Sequence, residues 1–354
     1  MKKLLVFISM GFFCLQTQAQ SNADSLLNFI AKNKDRSSIY LVQNDTVLAH
    51  LNENVLMPLA STVKIMVAIE FAKQAAAGVI SENKNIALSE LNKYYLPNTD
   101  GGAHPRWIAY EKSLGHVQND SVKLINVARG MIMFSSNANT EYLMDLLGLD
   151  NVKNNIQLFG LKQHTTIYPL VASLFMYQNP KHKSEESILK GISRLSSEQY
   201  CRFIYDMHNA LKYDTVLKST FRPQDLTLKM QKAWSDRLPA GTTKEYVRIC
   251  KILNERKYFD ANTYRILSEV LESIMENPAN QQWLKHAGMK GGSTNWILTK
   301  ALYATTKDDT KIEMAYFFNN LSPAENTRLQ HWMNDFELEV LSNHAFRQKV
   351  AKSL

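Results

Sequence analysis

The chain has 354 residues, 45% of them hydrophobic and 21% charged, which suffices for a large core and excludes a disordered or low-complexity protein. The formal charge of +8 comes from scattered Lys and Arg residues, with no basic run and no interleaved aromatics to mark a nucleic-acid groove. Three cysteines exclude a disulfide scaffold, and the nine histidines lack the spacing of a metal site.

Residues 1–19 read as a signal peptide. Lys2 and Lys3 precede a short apolar run from Leu4 to Leu15, and Thr17-Gln18-Ala19 offers a cleavage site before Gln20. That run is too short for a permanent membrane helix, and no later stretch reaches about 18 apolar residues. Phe12-Phe13 before Cys14 does not fit a lipid anchor. The mature chain, residues 20–354, is expected to be exported, periplasmic or secreted, without stable membrane insertion. Only Cys201 and Cys250 would then remain, and whether they pair stays open.

Ile39 to Val42 and Thr46 to Ala49 flank Gln43-Asn44-Asp45 and predict a hairpin. Val63 to Ala77 predicts a buried helix stopped by Gly78. Val122 to Met133 and Thr140 to Leu147 have helical spacing, separated by the polar Ser135-Ser136-Asn137. A more charged stretch, about 178–241, carries helical patterns of its own, such as Ser197 to Lys212. Helices are expected again over Tyr246 to Asn254 and Tyr264 to Met275. Trp296 to Thr305 and Lys311 to Phe318 then read as strands about the turn Lys307-Asp308-Asp309, before an amphipathic helix from Pro323 to Leu341. Strands at both ends and helices between them predict an α+β fold whose termini share one antiparallel sheet.

Three short motifs carry chemistry. Ser61-Thr62-Val63-Lys64 opens the most apolar helix, where the helix dipole and free N–H groups stabilise charge developing on a hydroxyl. Lys64 lies one turn from Ser61 among apolar neighbours, and desolvation favours a neutral amine able to take the serine proton. The same spacing at Ser81/Lys84 and Ser187/Lys190 falls in charged segments. Taken alone, Ser61 also reads as a helix cap with a snorkelling lysine. Ser135-Ser136-Asn137 reads either as a proton shuttle with an amide-binding asparagine or as a polar turn between helices. Lys290-Gly291-Gly292-Ser293 reads either as a cation and hydroxyl for a carboxylate, with glycines admitting a substrate backbone, or as a glycine-bearing turn.

The three motifs follow the order of Ser-x-x-Lys, Ser-Asp-Asn and Lys-Thr-Gly, the signature of class A β-lactamases and penicillin-binding proteins, and the chain resembles that family. The resemblance implies a β-lactamase/transpeptidase-like three-layer α+β fold, an antiparallel sheet flanked by helices plus an all-helical half, formed by one catalytic domain with a helical insertion at about 178–241. It implies acyl transfer with Ser61 as nucleophile, Lys64 as base and Ser135 as proton relay. Asn137 would hold the substrate amide, Lys290 and Ser293 its carboxylate, and Gly292 would admit its backbone. The N–H groups of Ser61 and Ser293 would form the oxyanion hole. The implied partner is a small-molecule substrate, a β-lactam or an acyl-D-Ala-like peptide, with no cofactor, no metal and a monomeric protein. A D-alanyl-D-alanine peptidase or esterase, and a penicillin-binding sensor or trap without turnover, fit the same motifs.

The chain departs from the family at several points. Ser136 replaces the aspartate of the second motif and Gly291 the threonine or serine of the third. Tyr168, in Thr165-Thr166-Ile167-Tyr168-Pro169, stands where a glutamate activates the deacylating water. A phenol with a pKa near ~10 is a poor base, and Glu185 or Glu186 would have to fold back to replace it. Asn98 to Trp107 lengthens the chain before the second motif. It reads as a site rim with Tyr94 or Tyr95 and Trp107 as aromatic walls, or as a surface loop, with His104 as a hydrogen-bonding residue of that loop.

Overall fold

A computed structural model of the chain describes residues 21–178 and 184–354, so the expected signal peptide lies outside the described residues. Strands β1 (Ser37–Gln43) and β2 (Thr46–Leu51) form the expected hairpin. Its turn residues Asn44 and Asp45 have φ of 48° and 66°, the left-handed pair that matches the twist of two antiparallel strands. Four short strands follow: β3 (Met57–Pro58) pairs with β6 (Ala240–Gly241), and β4 (Asn85–Ala87) with β5 (Ser121–Lys123). Strands β7 (Leu284–Ser293), β8 (Leu298–Thr306) and β9 (Lys311–Phe318) complete an antiparallel sheet in the order β2-β1-β9-β8-β7.

The sheet is buried on both faces, and its side chains divide with period two. Ile312, Met314, Tyr316 and Phe318 of β9 pack with Leu26, Ile30, Phe336 and Val340, from the helix at 21–32 and the helix Pro323–Ser342. Ala315 and Phe317 face the other way, into the core that holds Tyr246, Ile249 and Leu253 of the helix Thr243–Glu255. Beyond it lies the helical half, centred on Lys64–Ala76, whose residues Lys64 to Ala72 are all buried. A helix enclosed on all sides needs apolar residues all round, which is why its sequence shows little polar face. The three-layer α+β arrangement is the one expected.

Some boundaries differ from the sequence reading. Strand β7 was not expected, and Lys290-Gly291-Gly292-Ser293 lies in it rather than in a turn before a strand. The helix expected to reach Met275 ends at Leu271, followed by a 3₁₀ turn Ser273–Glu276. The charged stretch holds helices Glu185–Ser193, Ser197–Tyr213, Thr215–Ser219 and Leu228–Asp236. Cys201 and Cys250 are unpaired. Among the described residues no helix is long and apolar enough to cross a membrane.

Candidate active site

Ser61 sits in a 3₁₀ turn, Ala60–Val63, that leads directly into Lys64–Ala76. The turn is fixed against the sheet. Leu59 N donates to Pro239 O at 2.8 Å, and the Thr299 hydroxyl donates to Leu59 O at 2.8 Å. With that proton committed, Thr299 accepts from the Thr62 hydroxyl at 2.8 Å. Ala60 carries a left-handed φ of 45°, a conformation that costs an alanine energy and is held here by these bonds.

Strand β7 passes so close that a Cβ on Gly292 would lie 2.5 Å from both Leu59 O and Ser61 N. Only glycine fits. Ser293, the next residue on the strand, lines the same cleft as Ser61.

Ser135 holds the centre. Its φ is 64°, and its hydroxyl lies 3.2 Å from Lys64 Nζ and 3.1 Å from Lys290 Nζ. Lys64 Nζ also donates to Ser135 O at 2.7 Å and to Asn137 Oδ1 at 2.8 Å, while Lys290 Nζ donates to Gly291 O at 2.7 Å. Burial pushes the Lys64 pKa down to about 7, against the opposing pull of Asp100 and Glu141. Lys290 was expected to remain a fixed cation. Burial, with the charges of Lys64 and Lys300 beside it, instead holds its pKa well below the usual lysine value. The Ser61 hydroxyl has no hydrogen-bond partner among the described residues.

Ser136 is the N-cap of the helix Asn137–Leu147, accepting from Asn139 N at 3.2 Å. Its hydroxyl also meets His104 Nδ1 at 2.9 Å, and both side chains are buried. Burial lowers the His104 pKa to about 4, so the ring is neutral. His104 is thus a buried brace for the second motif rather than a loop residue, and the sequence gives no signal for the pair. Lys300 was also missed. It pairs with Gly291 across β7 and β8 and lines the cleft, its Nζ 3.6 Å from where a Gly291 Cβ would be. A Cβ at 291 would meet the Lys300 side chain at ordinary contact distance, with Thr299 O the tighter neighbour at 3.3 Å.

The site opens into a cleft of about 690 Å³ that Ser61, Ser135, Asn137, Gly292 and Ser293 all line. Asn98 to Gly101 form part of its rim, as expected. Trp107 does not: it is fully buried and donates from Nε1 to Glu111 at 3.1 Å. Tyr94 reaches Asp145 and Tyr95 packs on His104, and neither lines the cleft.

Tyr168, expected to be a poor base, does not line the cleft. It is 4% exposed, its hydroxyl donates to Arg237 O and its ring packs edge-on against Tyr200. Burial raises its pKa well above the usual phenol value. It therefore supports the packing of residues 200 and 237 and supplies no base to the cleft. Glu185 and Glu186 line a separate surface cavity with Lys229. Among the described residues Asp100 is the one carboxylate lining the cleft, and the N–H groups of Gly102, Ala103 and His104 each donate to it at 3.1 Å.

This geometry can be set beside known proteins. The β-lactamase enzyme family model matches residues 21–259. A comparison with curated protein sequences finds no match. Among solved structures, the chain is similar to a representative class A β-lactamase from Bacteroides cellulosilyticus, at 14% identity and a TM-score of 0.52, covering 90% of this chain and 96% of that one. It is similar to a β-lactamase from Chitinophaga pinensis at 14% identity and a TM-score of 0.53, covering 89% and 98%. A β-lactamase from Sphaerobacter thermophilus gives 18% identity and a TM-score of 0.53, covering 90% and 97%. At such identities the likeness is one of fold, and it covers more of the chain than the family model does. The match from residue 21 to 259, spanning the nucleophile turn and the second motif, carries the assignment: the chain belongs to the β-lactamase enzyme family.

Proposed function

We propose that the chain is an exported serine hydrolase that acts through an acyl-enzyme at Ser61, with β-lactams as its leading substrates. The observation that carries this reading is the meeting of Lys64 and Lys290 on the Ser135 hydroxyl, beside a nucleophile turn that leaves room only for Gly292. Ser61 Oγ attacks the carbonyl carbon and its proton passes to Lys64 Nζ. An ammonium making the three contacts of Lys64 has no lone pair free, whereas the neutral amine has two N–H groups and a lone pair. Deprotonation therefore releases one contact and allows Nζ to turn to Ser61, a tightening expected on substrate binding. The oxyanion rests on the N–H groups of Ser61 and Ser293. The C–N bond then breaks, and Ser135, linked to both lysines, returns a proton to the leaving nitrogen. A substrate carboxylate beside Lys290, Lys300 and Ser293 would restore the charge that burial disfavours on Lys290.

The burial of Tyr168 favours a second reading, a trap that acylates and clears slowly. Intact-mass measurement after incubation with a penicillin tests both. One adduct, absent in Ser61→Ala, is expected. An adduct elsewhere, or none with penicillins and none with activated esters, rejects the assignment.

A further inference from the structure

The acyl-transfer groups occupy only part of the cleft. Leu170, Leu174, Phe221, Leu226, Trp234 and Leu238 line the same cavity as Ser61 and Ser293, and four of the six come from the charged stretch at about 178–241. That stretch is polar in composition, yet it directs this apolar set towards the nucleophile. The wall is held in place. Phe221 stacks on Phe175 with ring centroids 5.5 Å apart, Trp234 Nε1 donates to Ser173 Oγ at 2.8 Å, and Arg222 N donates to Gln178 Oε1 at 3.0 Å. It is also joined to the reacting centre at two points. Pro239 O accepts from Leu59 N at 2.8 Å, two residues before Ser61. The Ser235 hydroxyl meets that of Thr294, next to Ser293, at 2.6 Å. Any shift of this wall would therefore move the nucleophile turn or the oxyanion strand with it.

We infer that this wall is a pocket for the acyl group, and that the preferred substrates carry a bulky apolar acyl group, aromatic or branched, on the carbonyl that Ser61 attacks. The inference rests on the acyl-enzyme reading above. A carboxylate end is provided for by Lys290, Lys300 and Ser293, all on β7 and β8. The six apolar side chains of the same cleft offer surface on which a ring gains by leaving water. A cleft of about 690 Å³ can take an arylacyl group together with its leaving group.

Two p-nitrophenyl esters, the acetate and the phenylacetate, share a leaving group and differ only in the acyl part. With each rate divided by that of spontaneous hydrolysis, wild-type kcat/KM should favour phenylacetate by about tenfold or more. Phe221→Ala and Leu226→Ala should each lose several-fold on phenylacetate and stay within about twofold on acetate. Phe221→Leu, which keeps an apolar side chain, should retain most of the phenylacetate rate. No preference in the wild type, or equal losses on both esters in variants of unchanged Tm, overturns the pocket while leaving the acyl-enzyme intact. Failure of the folded wild type to be acylated by either ester overturns the acyl-enzyme reading, and the pocket with it.

Discussion

At Ser135 the Lys64 and Lys290 amines share one hydroxyl at 3.2 and 3.1 Å; burial is the largest influence lowering the pKa of each, and at Lys290 the charge of Lys64 adds to it. With Lys64 near a pKa of about 7, the base form grows as pH rises through neutrality. The acylation rate constant should therefore climb about tenfold per pH unit below that value and level off above it, as single-turnover kinetics against pH would measure. Lys64→Ala should remove the rising limb and lower the rate by ~10²–10⁴-fold. A profile flat from pH 5 to 9 would exclude Lys64 as the titrating base. Gly292→Ala tests the nucleophile turn. Its Cβ would meet backbone on two sides at 2.5 Å, so the turn must shift, and kcat/KM should fall ~10²-fold or more while the sheet still forms. Ser61, Lys64, Ser135 and Asn137 were legible in the sequence because the chemistry fixes both residue type and spacing. His104 and Lys300 were not, since only folding brings them to the site: His104 against Ser136, and Lys300 into the cleft beside Gly291 on the neighbouring strand.

At the scale of elements, β7 shows why a strand can be hidden in a sequence. It is an edge strand carrying Gly288, Gly291 and Gly292, which erase the apolar alternation that marks a strand. Two of those glycines answer to close neighbours: a Cβ on Gly288 would lie 2.5 Å from the Tyr303 hydroxyl, and Gly292 receives the nucleophile turn. The signal that concealed the strand is thus the signature of its packing. The helix Ser197–Tyr213 was legible from its spacing, but its docking was not. His208 on this helix meets Glu141 at 3.2 Å and Asp145 at 2.8 Å, on the helix Asn137–Leu147, and Glu141 in turn accepts from Val171 N at 2.6 Å. Lys212 and Tyr94 complete the charges and hydroxyls around Asp145. Burial opposes charge on His208, but the two carboxylates prevail and raise its pKa to about 9. A raised pKa stabilises the folded state fully below the unfolded value of about 6.5, and the gain is lost as pH rises through about 9. Tm should therefore fall between pH 6.5 and 9.5, with a smaller fall in His208→Gln. At pH 6.5 that variant should also lose about 3 kcal/mol, because Glu141 stays buried without its cation while Asp145 keeps Lys212. A Tm that responds to pH equally in both proteins would show that His208 is not what holds the helix down.

Across the whole molecule, the site lies where the sheet, the helical half and the charged stretch meet, each contributing to one cleft: Gly292 and Ser293 from the sheet, Ser61 and Ser135 from the helical half, Trp234 and Phe221 from the charged stretch. That the termini would share a sheet was legible from strands at both ends of the chain. The direction of Tyr168 was not, because position along a loop does not say whether a side chain faces cleft or core. Its burial leaves the two chemical steps unequally equipped. On the proposed acyl-enzyme reading, acylation has a nucleophile, a base, a relay and two amide donors, whereas the position expected to activate water holds a buried phenol bonded to Arg237 O. A penicillin should therefore give a burst of about one equivalent of product followed by turnover slower by ~10²–10⁴-fold, the usual contribution of a general base. Tyr168→Glu would not supply the missing carboxylate. It would place a charge among Tyr177, Tyr200 and other buried side chains, costing about 3 kcal/mol or more, so Tm should drop with no gain in the slow phase. Stopped-flow product release, with mass analysis of the acyl-enzyme over the same interval, separates the phases. Fast turnover without a burst would mean that a base already stands in the cleft. Asp100 would then be tested first, through Asp100→Asn, which removes the charge and keeps an acceptor for Gly102 N and Ala103 N but not the one for His104 N, so Tm is measured alongside.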